Sequence, residues 1–328
     1  MRIGVLLAAV ALAASACSVQ GGSADKSAAA SGYPNKPVEF TVPTDPGGST
    51  DLLTRALAKS IEQPLGAKAV VVNKPGANGK IAGKDVFGSK PDGYRVAVMP
   101  QSLFAIGPLM LNDADPVKLT DMTFIKGLAV EDYVLVVPAD STYKTLKDLV
   151  EAPSVKYGTT GPGTGSQLSQ TLLFGLAKTN AAPVPFDGGA PTVTAVLGGK
   201  VDAASVQIAE GFKQVQAGKM RALAVFSDKR LEAMPEVPTA KESGYDVVVD
   251  QRRFVAGPAG LPAEVRDKLA AAIDKAIASP EYNEILKANY IGRWDANGEQ
   301  VGTQLNESLQ RFDKLAKDLG IDLKAQQQ

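Results

Sequence analysis

Three short stretches of this chain combine glycines, hydroxyls and small residues as a site for negative charge requires. The first, Thr41 to Ile61, reads TVPTDPGGSTDLLTRALAKSI: a short apolar strand, a Pro/Gly-rich turn, and a helix beginning at Ser49 or Thr50. Gly47 and Gly48 lack a Cβ, so the backbone can adopt φ > 0 and approach a ligand closely. The first turn of the following helix offers N–H groups without intrahelical partners at the positive end of the macrodipole. Thr44, Asp45, Gly47, Gly48, Ser49, Thr50 and Asp51 are therefore candidate binding residues. The second stretch, Tyr157 to Gln167, leaves a strand and enters a helix marked by Leu168, Leu172, Leu173 and Leu176. Here Thr160, Gly163, Thr164, Gly165, Ser166 and Gln167 are the candidates, the hydroxyls adding donors to the backbone N–H groups. In the third, FDGGAP, the residues Asp187, Gly188, Gly189 and Ala190 precede a helix with Pro191 in its first turn. The first stretch alone reads rather as a plain strand-to-helix turn. Together, three helix N-termini pointed at one cleft would hold a carboxylate or phosphate without metal or cofactor. Gln101 and Gln207 join the candidates, and the doubled Arg252-Arg253 in VVVDQRRFVAGP supplies planar forks suited to bidentate carboxylate contacts.

Composition removes many alternatives. The 328 residues include no histidine, which excludes Ser-His-Asp and Cys-His catalysis, histidine acid/base chemistry and histidine-bearing metal sites. Neither a GxGxxG spacing in the second glycine loop nor a GxxxxGK[ST] anywhere supports nucleotide binding. Ser141-Thr142-Tyr143-Lys144 matches the SxxK nucleophile motif, but the companion KTG is missing and the motif falls in a turn. Basic and acidic residues number 35 each, a balance that argues against nucleic acid as a partner.

The N-terminus carries Arg2, the apolar run Gly4 to Ala14, and the small-residue site Ala14-Ser15-Ala16 ahead of Cys17. This pattern predicts a signal peptide over 1–16, since a bilayer span needs about 20 apolar residues. It resembles a bacterial lipoprotein signal with Cys17 lipidated, and the lone cysteine cannot form an intramolecular disulfide. The Gly/Ser/Ala-rich stretch 17–32 is expected to be a flexible tether.

The remaining length suggests about two domains. Strand-like runs at Val38 to Val42, Ala69 to Asn73, Tyr94 to Met99, Tyr133 to Pro138, Val155 to Thr159, Val201 to Val206, Met220 to Phe226 and Val247 to Val249 are interleaved with helical stripes. The stripes are Asp51 to Gln63, Leu146 to Val150, Gln167 to Lys178 and Ala190 to Leu197. That alternation predicts an α/β fold with mostly parallel sheets and binding clefts at the carboxyl ends of strands. After Pro258 the chain turns helical, with a helix starting at Pro262 and two more at Glu281 to Asn289 and Glu299 to Leu319.

Several motifs in order, YPNKPVEFTVPTDPGGSTDLLTRAL, VVNKPGANGKIAGKDV, KPDGYRVAV, GTTGPGTGSQL, VPFDGGAPTVTAVLGGKVDAA and AGKMRALAVFSDKRLEAMPEVPTAKESGYDV, resemble the receptors of tripartite tricarboxylate transporters, the TctC-like or Bug receptors. The resemblance spans Tyr33 to Leu319. It implies a type II periplasmic-binding-protein fold, two α/β domains joined by two crossing strands with a carboxylate between them. The turns around Thr44 to Asp51 and Thr160 to Gln167 would then pinch one carboxylate, and Asp187 to Pro191 would close on it. Gln167 stands where many relatives have His, and Asp187 where many have Lys. Gln251-Arg252-Arg253 falls where citrate-type receptors carry Trp-Arg-Gly, so Arg252 matches the ligand arginine.

The resulting expectation is an extracytoplasmic, lipid-anchored solute receptor, not an enzyme. Its domains would be 33–133 with 250–328, and 134–249. It would bind a di- or tricarboxylate, use no cofactor or metal, act as a monomer and present its solute to membrane permease subunits. A solute sensor docking on a sensor kinase, or an enzyme acting on a carboxylate, are the competing readings.

Overall fold

Strand β1 (Val38–Val42) ends in the first glycine turn and passes into helix α1 (Ser49–Leu65). Leu53, Leu57 and Ile61 repeat on one face of α1 and are wholly buried, each such side chain contributing about 1.5–3 kcal/mol of transfer free energy. Gly66, in the left-handed region, ends the helix. The computed structural model describes residues 32–324. The expected signal peptide 1–16, Cys17 and nearly all of the expected tether lie outside the described residues.

The chain continues through β2 (Ala69–Asn73), α2 (Lys80–Phe87), β3 (Arg95–Pro100), the short α3 (Ser102–Ala105) and α4 (Gly107–Met110), and the long strand β4 (Met122–Pro138). Next come α5 (Leu146–Val150), β5 (Val155–Thr159), α6 (Gly165–Ala177), β6 (Ala181–Pro185), α7 (Gly189–Leu197), β7 (Ala203–Gln207), α8 (Ile208–Gln216) and β8 (Met220–Val225). The last elements are β9 (Asp250–Pro258), α9 (Ala263–Ile277), α10 (Pro280–Ala288), the two-residue β10 (Gly292–Arg293) and α11 (Gly298–Asp318).

Strand order is β2-β1-β3-β9-β4-β7-β5-β6, with β8 and β10 also pairing to β4. The outer strands on each side are parallel, as the βα alternation predicts. The centre is not: β9 runs antiparallel to both β3 and β4, and β4 runs antiparallel to β7 and β8. Expectation and structure differ because β4 serves two groups of strands. Its Met122–Asp132 half pairs with β9, and from Tyr133 it pairs with β7 and β8. The stretch Val247 to Val249 is not a strand; pairing starts one residue later, at Asp250.

Helices cover both groups of strands, with cores around Phe40, Leu57 and Ile273 on the first and around Tyr157, Leu172 and Val137 on the second. The division into 33–133 with 250–328 places helix α11 wholly on the first group of strands. Its Val301 and Leu305 do join Phe254 and Met99, but Phe312 and Ala316 pack into the core of the second group. Together β4 and α11 tie the two halves into one molecule.

Candidate anion-binding site

The first turn is held open by its own helix. Asp51, in the first turn of α1, accepts hydrogen bonds from the Gly47 N–H (2.9 Å), Arg55 Nε (2.9 Å) and Asn73 Nδ2 (2.9 Å). Burial works against charge on Asp51, but the donors Arg55, Gly47 and Asn73 outweigh it and hold the carboxyl below its usual range. Gly47 adopts φ +89°, a conformation in which a Cβ would be strained. Asp51 therefore shapes the turn. Asp45 is exposed, and the Thr44 hydroxyl is buried without a hydrogen-bond partner.

The second turn repeats this arrangement. Gln167, in the first turn of α6, accepts the Gly163 N–H at 2.9 Å. Thr164 donates to Gly161 O and caps the helix by accepting from the Gln167 N–H. Thr160 donates to the Thr164 hydroxyl, and Ser166 donates to Ser205 O. The side chains of Thr160, Thr164 and Gln167 thus serve the turn itself, Ser166 ties it to β7, and the N–H groups of Thr160, Gly161, Gly163 and Gln167 all have side-chain acceptors. Gly165 packs against the Tyr133 ring, where a Cβ would lie 2.8 Å from the hydroxyl.

In the third turn Gly188 takes φ +101° and Gly189 opens α7. Asp187 and Ala190 are exposed. Gly161 of the second turn lies beside this turn, 3.5 Å separating its Cβ position from Phe186 O.

Hydrogen bonds around the first turn link the two groups of strands. Asn78, beside the first turn, donates to Gly163 O at 2.8 Å and accepts from Ser102. Glu131, fully buried on β4, accepts from Ser49 Oγ (2.5 Å), Arg253 Nη1 (2.9 Å) and the Ala209 N–H (3.0 Å). Arg253 also donates through Nε to Thr50 Oγ1 at 2.7 Å. One carboxylate thereby joins α1, α8, β4 and β9, with every donor on it charge-assisted.

The two arginines separate as neighbours on a strand must. Arg253 is buried and reaches the first turn. Arg252 lies on the other face, donating to Asp250 Oδ2 and Gln304 Oε1 over the Trp294 ring. Gln101 belongs with Arg252: its Nε2 donates to Asp250, and its Oε1 accepts from Ser308. The guanidinium bonded to the first glycine turn is that of Arg253, while Arg252, the arginine matched by the family pattern, holds Asp250 and Gln304.

Sequence reasoning missed Glu131, Arg253 as the inward arginine, Asn78 and Glu210. Glu210, in the first turn of α8, lies beside the backbone N–H groups of Ser49 and Gln207, and its Oε2 is buried without a hydrogen-bond partner. Its carboxyl packs on Gly189 so closely that a Cβ there would sit 1.8 Å from Oε2. Burial, aided by Glu131, pushes its pKa up to about 7. The signal that could have found Glu210 is an acidic residue three positions after Gln207, where a first-turn carboxylate reaches back to the cap N–H.

Among the described residues no group of three or more His, Cys, Asp or Glu is arranged to hold a metal ion. A surface hollow of about 590 Å³ lined by Lys59, Gln63, Lys275 and Glu281 lies toward the opposite end of α1 from Ser49 and contains none of the candidates.

The model of the tripartite tricarboxylate transporter family receptor matches residues 53–321. The chain belongs to this family. The receptor is 30% identical to a Cupriavidus necator protein named as a UPF0065 protein in the gbd 5′ region, over 98% of this chain and 96% of the relative. The solved structure of the periplasmic binding protein BugD superposes with a TM-score of 0.81 at 29% identity, covering 88% of the receptor and 99% of BugD. MatC from Rhodopseudomonas palustris with bound malate has a TM-score of 0.78 at 25% identity, covering 86% and 99% of the two chains. An R. palustris protein with adipate has a TM-score of 0.82 at 25% identity, covering 88% and 99%. The receptor thus has the periplasmic-binding-protein fold expected from its motifs. Its family is one of extracytoplasmic solute-binding receptors and not an enzyme family. No helix among the described residues is long and apolar enough to cross a membrane.

Proposed function

We propose that the receptor captures a small di- or tricarboxylate between two halves, 33–133 with 250–328 and 134–249, and delivers it to the permease subunits of a tripartite transporter. The observation that carries this reading is the meeting of the Ser49 N–H from one half with the Gln207 N–H and Gly189 from the other around a single carboxyl group. Backbone donors from three helix starts are ready-made for a carboxylate and need no cofactor. Arg253 and Glu131 fix the first turn, and Asp51 and Gln167 fix the loop geometry, so the N–H groups are oriented before a solute arrives. Two relatives with solved structures carry the dicarboxylates malate and adipate, which favours this solute class. In the same reading Cys17 carries the lipid that keeps a monomeric receptor at the membrane, and the halves close about the crossings near Glu131 and Asp250.

A thermal-shift panel of succinate, malate, adipate, citrate, tartrate, acidic amino acids and aromatic acids tests this. A bound acid at about 100 times its dissociation constant adds roughly 2.7 kcal/mol of stability. A panel in which no carboxylate moves the transition, at concentrations up to tens of millimolar, would refute the reading.

A further inference from the structure

We propose that Glu210 determines which solutes the cradle accepts: its carboxyl stands where the helix starts converge, and a carboxylate solute binds there together with a proton on Glu210. The inference rests on the carboxylate-receptor reading and deepens it. A capping role alone would need only the Gln207 N–H at the start of α8. Glu210 goes further, because its carboxyl also lies beside the Ser49 N–H at the start of α1 and packs on the first residue of α7. Three helix starts from both halves therefore face one side chain of the protein itself.

The charged groups around it leave one way to admit a second carboxylate. Glu131 on β4 faces Glu210 with like charge, and Arg253 on β9, the cation in reach, is bonded to Glu131 and Thr50. Tyr133 on β4 also faces Glu210, and burial pushes its phenol further up, so it stays neutral. Helix α1 presents the Ser49 N–H, its Asp51 being turned to Gly47 and Arg55, and α7 presents Gly189. An arriving carboxylate thus meets two like charges and one cation already in use. A proton on Glu210 removes one of those charges and converts Oε2, buried and without a partner, into a donor to the solute oxygen. The proton comes from solvent and remains on Glu210 while the solute is bound. The pKa of about 7 for this carboxyl puts the exchange in the neutral range.

Calorimetric titration of the full chain with succinate, malate and adipate at pH 6.5 and 8.5, in buffers of two ionisation enthalpies, tests the assignment. These acids are already dianions across that range, so their own titration adds nothing. Affinity is expected to fall by about 25-fold from pH 6.5 to 8.5, with close to one proton taken up per solute at the higher pH. In Glu210→Gln, and in Glu210→Ser as a second variant should the first fail to fold, the ratio between the two pH values is expected near one with no proton uptake. Equal pH dependence in the wild type and a folded variant would overturn the role of Glu210 while leaving the receptor reading intact. So would loss of binding by both folded variants at pH 6.5, since the ionised carboxylate would then be needed to meet a cationic group. Absence of heat with all three acids from wild type and variants alike, together with no shift by any acid of the thermal panel, would remove the receptor reading, and this assignment with it.

Discussion

At the scale of single residues, the pair Arg253–Glu131 decides how the first turn is presented. Both side chains are essentially without solvent, at 1% and 0% exposure. Removing one partner of such a pair strands a buried charge, so Arg253→Ala is expected to lower stability by about 3–5 kcal/mol, read by urea denaturation. Arg252→Ala, at a quarter-exposed guanidinium held by Asp250 and Gln304, is expected to cost about 1 kcal/mol or less in the same assay. Equal losses would show that the strand's two faces are not distinguished as described. The doubled arginine was legible in the sequence, and period-two geometry already requires the two side chains to part. Which face looks toward the glycine turns depends on Glu131, some 120 residues earlier in the chain, so no local pattern could supply it.

At the scale of elements, two helix starts are built alike. Asp51 and Gln167 each reach back four residues from the first helical turn to fix a glycine N–H. Gln167→Ala would leave the Gly163 N–H without its acceptor in a buried turn, a loss of about 1–3 kcal/mol. For Asp51 the sign follows from a depressed pKa. Its stabilisation is present above the unfolded carboxyl value and is lost as pH falls through the lower folded value. Asp51→Asn should therefore cost about 1–2 kcal/mol at pH 7, and the difference should shrink as pH falls below the ordinary aspartate range. Equal destabilisation across that range would contradict a charge-dependent role. These helix starts were legible because glycine, a hydroxyl and an apolar stripe coincide there. Others were not: β6 carries two prolines, tolerated because it lies at the edge of the strand order. The first half of β4 hides behind two irregularities, between Phe124 and Lys126 and between Gly127 and Ala129, that break its alternation. Helix α8 contains Gly211, which weakens the helical pattern, yet a Cβ there would lie 2.7 Å from Val134 Cγ1.

At the scale of the whole molecule, the two groups of strands join where Asp132 on β4 sits directly opposite Asp250 on β9. Burial, with Asp250, Glu131 and Asp228 nearby, pushes Asp132 up to about 6. A carboxyl with a raised folded pKa binds more protons when folded, so stability declines as pH rises from about 4 to 6 and stays lowered above. Asp132→Asn should remove that decline and stabilise the protein by about 1–3 kcal/mol at pH 7, with little difference at pH 4. The α/β class and the parallel outer strands were readable from the alternation of runs and stripes. The antiparallel centre and the bridging role of α11 were not, because they follow from which distant segments pair. The proposed capture turns on backbone donors from both halves gripping one carboxylate. The most direct test is a crystal structure with the tightest-binding acid of the panel. One carboxylate oxygen pair should lie within about 3.2 Å of backbone nitrogens in the Gly47–Thr50 turn and also of nitrogens in the 160–167 or 188–190 turn. A solute seated elsewhere, or held by the backbone of one half only, would contradict it.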